Sequence, residues 1–127
     1  MQDQRKAPVK HTQHEAKEQE AVFYWAKLQV CVWPELELMF AVPNGGSRHA
    51  LEAVNLKRQG VRAGVPDIFL PAGKKGFNGL FIEMKSEKGR VSEHQAWYIQ
   101  KLREQWYKVE VCYSAESAIN AIKQYLS

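Results

Sequence analysis

Hydrophobic positions change their spacing along the chain, and each spacing predicts an element. In EAKEQEAVFYWAKLQVCVW, residues 15–33, Val22, Phe23 and Ala26 share one side of a 3.6-residue period, which predicts an amphipathic helix stopped by Pro34. Extended backwards, that stripe takes in Glu15 and Gln19, with Glu18 on its inner flank and Glu20 on the solvated side. LMFAVPN predicts a short strand closed by Pro43. HALEAVNLKRQG predicts a second helix carrying Leu51, Val54 and Leu56 and ending at Gly60. Gly64 and Pro66 punctuate a turn before a strand, Asp67-Ile68-Phe69-Leu70, which Pro71 stops. The glycine-rich AGKKGFNG then leads into GLFIEMKS, so these two strands are predicted to form a hairpin. SEHQ fits a capping box with Ser92 at the cap and Gln95 three residues on, opening a third helix with Ile99, Leu102 and Trp106 inward. VEVCY reads as a strand and AESAINAIKQYL as a helix capped by Ser114. The order helix, strand, helix, strand, strand, helix, strand, helix predicts one mixed α/β domain over residues 15–127, behind a polar, frayed segment at 1–14.

A chain of 127 residues, 45% hydrophobic, is long enough to bury one core. No apolar run approaches the ~20 residues of a membrane span and no secretory signal opens the chain, so the expectation is a soluble, cytoplasmic protein with no membrane partner. Cys31 and Cys112 are far apart and form no CxxC pair; both are expected to be buried free thiols. The four histidines lack metal-ligand spacing, which leaves them surface or capping roles. The net charge of +4 is modest, but from Arg48 to Arg90 nine Lys/Arg stand against four acids. A positive surface so concentrated attracts polyanions, nucleic acid above all.

One of those basic residues closes an unusual strand. GLFIEMKS is apolar until Glu83 and Lys85, which share a face because strand side chains alternate. If Leu70 pairs with Leu80, antiparallel partners keep a constant index sum of 150 and Asp67 falls opposite Glu83, with Cβ atoms ~5 Å apart. Two carboxylates at that spacing repel unless a cation sits between them. Lys85 supplies one charge, and a divalent ion would supply more. Mg²⁺ fits, since it takes hard oxygen ligands from one or two carboxylates plus substrate phosphate. The candidate chemistry is hydrolysis of a phosphodiester, with Lys85 orienting water or stabilising charge on phosphorus. A register slip of one residue would put Asp67 on the other face, and Glu-x-Lys alone also describes a solvated strand face.

Pro66-Asp67 followed by Glu83-Met84-Lys85 resembles the PD-(D/E)xK nuclease superfamily. PNGGSRH, LKRQGVRAGVPDIFLP, GLFIEMKSEKGRVSEHQ and YKVEVCYSAESAI resemble the VRR-NUC family over roughly residues 15–126, with Val61-Arg62 matching its Val-Arg signature. The resemblance implies a restriction-endonuclease-like core, a central mixed β-sheet flanked by α-helices, and a Mg²⁺- or Mn²⁺-dependent endodeoxyribonuclease. It implies Asp67 and Glu83 as metal ligands, the Met84 backbone carbonyl as a further one, and Lys85 as the catalytic lysine. An acid of the first helix joins them, Glu15 by its face, with Glu18 the alternative; Gln95 matches a site glutamine, against its reading as a capping residue. Arg48, Arg62, Lys88 and Arg90 are the expected phosphate contacts, and Asn44-Gly45-Gly46 resembles a family loop, also readable as an ordinary turn. Single-domain members resemble homodimeric enzymes cutting four-way (Holliday) junctions in DNA repair and recombination. Competing readings are a non-catalytic branched-DNA-binding module and a flap or duplex nuclease of the same fold. Trp33, Trp97 and Tyr98 are candidates for a dimer interface or for the core.

Overall fold

Strand β3 (Leu80–Met84) is buried at all five positions, the pattern of an inner strand covered on both faces. It lies inside a four-stranded sheet of order β1-β2-β3-β4, with β1 (Phe40–Ala41), β2 (Ile68–Leu70) and β4 (Lys108–Cys112). β1 and β2 pair antiparallel, β2 and β3 antiparallel, and β3 and β4 parallel, so the sheet is mixed. This is the expected α/β, restriction-endonuclease-like arrangement. The computed structural model describes residues 13–43 and 50–127. Residues 1–12 of the expected frayed segment, and Asn44 and Arg48, lie outside the described residues.

Alternation along β3 divides the core. Leu80, Ile82 and Met84 join Val22 and Ala26 of helix α1 (Gln13–Leu28) and Ala118, Ile122 and Leu126 of helix α4 (Ala115–Leu126). Phe81 instead packs with Val109 and with Ile99 of helix α3 (Glu93–Glu104). On that second face Phe69 stacks on its cross-strand partner Phe81, ring centroids 4.2 Å apart. The hairpin tip turns at Lys75 and Gly76, both with positive φ, as a type I′ turn requires. Capping boxes at Ser92 and Ser114 start α3 and α4 where the sequence places them.

Several expectations fail, each for a local reason. α1 ends at Leu28 rather than running to Pro34, with the Ala26 carbonyl accepting the Gln29 N–H and the Gln29 carbonyl accepting from Val32 and Trp33 in tight turns, and Pro34–Leu38 forms a 3₁₀ helix instead. Helix α2 (Ala50–Arg58) ends as predicted, with Gly60 at φ +102° and Val61 N–H donating to the Leu56 carbonyl. Its apolar residues are not core: Leu51 and Val54 are exposed, because α2 packs against no other element among the described residues. Trp106 is also exposed, since α3 stops at Glu104 and Trp106 takes the left-handed conformation that closes the helix. Trp33 and Tyr98 are half-buried, and Trp33 packs on Trp25. Among the described residues no helix is long and apolar enough to cross a membrane.

Cys112 is buried as expected, but Cys31 is exposed, lying in the turn after α1. Burial pushes the Cys112 thiol up to about 11, with the Glu110 charge adding to the rise and the Ser117 hydroxyl opposing it. Thiolate is the reactive form, and at pH 8 the Cys112 thiolate fraction is on the order of one in a thousand. A thiol-specific chromophoric reagent at pH 8 is expected to modify one equivalent rapidly and the second only after denaturation. Two rapid equivalents would contradict this environment for Cys112.

Candidate active site

The register that brings the acids together is the one supposed from the sequence. Leu70 pairs with Leu80, Phe69 with Phe81 and Ile68 with Ile82, so Asp67 lies against Glu83 at the first position past the ladder. Five buried polar or charged side chains stand out among the described residues: Glu15, Asp67, Glu83, Lys85 and Gln95. Asp67 and Glu83 are each 2% exposed and Lys85 is 5% exposed. A charge so buried is tolerated only when paired and hydrogen-bonded.

Backbone and side-chain donors meet that requirement. The Met84 N–H donates to Asp67 Oδ2 at 2.7 Å, and the Ser86 N–H to Glu15 Oε2 at 2.8 Å. Glu83 Oε2 lies 3.6 Å from Lys85 Nζ and accepts from Gln95 Nε2 at 3.1 Å. Glu18 serves elsewhere: its Oε1 accepts the Ala115 N–H at 2.6 Å and caps α4. Glu15, not Glu18, is therefore the α1 acid buried at this end of β3.

Gln95 performs both tasks that the sequence sets against each other. Its Oε1 accepts the Ser92 N–H at 2.9 Å in the capping box while its Nε2 holds Glu83. An amide has an acceptor end and a donor end, and α3 is placed so that each is used. The sequence gives no sign of Ser86 as the partner of Glu15, because a backbone donor leaves no residue-type signal. Nor does it reveal how closely Gly64 meets α3: at φ +92°, a Cβ there would stand 2.8 Å from His94 Cδ2. Arg62, Lys88 and Arg90 are exposed, Lys88 and Arg90 on the loop that leaves β3.

Three carboxylates share this buried end of the sheet with one ammonium, an imbalance that a divalent cation relieves. No three His, Cys, Asp or Glu side chains converge into a complete cage among the described residues. Asp67 and Glu83 supply two hard oxygen donors, which fits Mg²⁺, an ion that keeps much of its water and needs few carboxylates. Glu15 lies at the Ser86 amide rather than in a three-acid cage with them.

Replacing Gln95 with glutamate keeps an acceptor for Ser92 but removes the donor to Glu83 and adds a like charge. Q95E is expected to unfold about 1–3 kcal/mol more easily than the parent at neutral pH, by urea titration. The deficit shrinks as pH falls through the carboxylate range, where protonation restores an O–H donor. Equal stability at neutral pH would show that the Gln95–Glu83 bond contributes nothing.

The VRR-NUC domain model matches residues 4–116, from ahead of α1 to the first turn of α4. No curated protein matches. Among solved structures, a chain described as a VRR_NUC domain protein is similar at a TM-score of 0.77 and 28% sequence identity, over 93% of this chain and 91% of that one. The match takes in the sheet and every one of the five buried polar side chains, and this chain belongs to the VRR-NUC family, which is of nuclease type.

Proposed function

We propose that the protein is a Mg²⁺- or Mn²⁺-dependent, structure-selective endonuclease that hydrolyses phosphodiester bonds in branched DNA, four-way junctions foremost, acting as a homodimer. The observation that carries this is the convergence of Asp67, Glu83 and Lys85, with Gln95 and Glu15 behind them, at the buried end of an otherwise apolar strand.

Asp67 and Glu83 would hold the ion, completed by the Met84 carbonyl and water, and a bound ion of this kind polarises a phosphoryl oxygen and acidifies water. Lys85 donates to the attacking water or to a phosphoryl oxygen as negative charge builds there. Gln95 fixes which way the Glu83 carboxylate faces, and Glu15, through the Ser86 amide, fixes the chain just past Lys85. Lys88 and Arg90 follow on the same loop, exposed and basic as phosphate contacts require. Homodimerisation follows from the substrate: paired cuts in a four-way junction need two sites related by a two-fold axis.

Lys85→Ala is expected to lower cleavage of a labelled four-way junction at least about 100-fold while its affinity, measured in EDTA, stays within a few-fold. EDTA should abolish cleavage by the parent, and added Mg²⁺ or Mn²⁺ restore it. Metal-dependent cutting by K85A at near parental rate would refute the catalytic assignment; binding without any metal-dependent cutting by the parent would leave a DNA-binding module. Arg90→Ala should reduce the slope of log affinity against log salt by about 1, one phosphate contact. An unchanged slope takes Arg90 out of the footprint.

A further inference from the structure

Helix α3, whose Gln95 holds Glu83, also carries an aromatic surface that no step of hydrolysis uses. His94 and Trp97, three residues apart on α3, hold their rings 8° from parallel with centroids 6.2 Å apart. Tyr98 meets Trp97 edge-on at 5.9 Å. Trp97 is 54% exposed, so a large aromatic face is turned to solvent. That face has no role in the core, and α3 already buries Ile99 there.

Cations flank it. Arg62 lines two clefts that share Gly60, Val61 and Arg62 itself: one of about 310 Å³, closed by Lys57 and His94, and one of about 280 Å³, reaching Tyr98. The loop carrying Arg62 is held to α3 by Gly64, whose backbone lies so close to His94 that no side chain fits between them. The same two segments carry the acid site. Asp67 is three residues beyond Gly64, and Gln95, next to His94, holds Glu83. His94 and Arg62 are therefore joined to the acid site by short stretches of chain.

A π face beside a guanidinium and an ammonium matches one ligand chemistry, a nucleotide whose base is out of its stack: the base lies on the ring and the phosphate meets the cations. Bases inside a continuous duplex have both faces occupied and offer nothing to Trp97. We propose that Trp97 and His94, with Arg62 and Lys57, form a subsite for one unstacked nucleotide of a bound DNA strand, and that this subsite distinguishes a branch from continuous duplex. The inference rests on the nuclease reading and adds to it the feature of DNA that is recognised.

The test is equilibrium binding in EDTA, by anisotropy of a labelled single-stranded oligothymidylate and of a continuous duplex of equal length. Trp97→Ala and Trp97→Leu are expected to weaken single-strand binding about tenfold or more, Trp97→Phe to stay within about threefold, and duplex affinity to change much less. Arg62→Ala should weaken single-strand binding and lower its salt slope by about 1. Equal losses on single strand and duplex, or no rescue by phenylalanine, would overturn the subsite. Sedimentation covers the competing occupant: if W97A turns a dimer into monomers without altering single-strand affinity, the face belongs to a second copy of the chain and the proposal falls. Because no cleavage is needed, the two readings fail separately. A K85A enzyme that still cuts sinks the catalytic reading alone, whereas parental junction cutting with unchanged W97A binding sinks the subsite alone.

Discussion

The site depends on where β2 begins. The Lys85 N–H donates to Cys112 on β4, so by alternation the amides of Met84 and Ser86 point the other way, toward β2. The β2 ladder starts only at Ile68, leaving those two amides without a strand to pair with. A buried amide left unpaired is costly, and here two carboxylates take the place of the missing strand, Asp67 on Met84 and Glu15 on Ser86. The acids are thus positioned by the backbone of the central strand, the least mobile part of a sheet, rather than by a loop. Catalytic geometry needs that rigidity, because a misplacement of an ångström costs orders of magnitude in rate.

α3 is tied to the same strand end by one side chain. Gln95 closes its own helix's capping box and reaches across to Glu83, so the start of α3 and the orientation of the carboxylate are set together. His94 and Trp97 ride on that first turn and the next, and Gly64 brings the loop before Asp67 against them. Charge follows a similar division. The acids are internal, while Arg62, Lys88 and Arg90 are exposed on the segments that lead into β2 and out of β3.

The sequence discloses this architecture wherever the determining chemistry is local. The two serine caps and the end of α2 at Gly60 could be read because each rests on a few adjacent residues, whereas the hairpin register had to be supposed, since alternation alone leaves a one-residue slip open, and the structure has the supposed pairing. Glu15 was legible on its helical face, though Glu18 stood beside it until the contact between α1 and α4 separated them. Helical periodicity misled at α2 and Trp106. It reports which residues would share a face, not whether anything covers that face or whether the helix lasts long enough to present it. Cys31 departs too: free cysteine is usually buried, but this one lies in an exposed turn.

What a sequence cannot display is a side chain used at both ends or a backbone group used once. Gln95 presented two incompatible roles only while its side chain was treated as a single group; resolved into a carbonyl and an amino end, the roles require each other, since the capping bond holds the amide plane that aims its donor at Glu83. The Met84 and Ser86 amides, carried by every residue alike, hold two of the three acids in place. Side-chain identity therefore points to the acids, and the sheet's hydrogen-bond parity explains how they are accommodated side by side inside a core. The folding constraint and the proposed chemistry meet in the same atoms: the donors that make buried carboxylates tolerable also fix the directions from which an ion and a phosphate can approach.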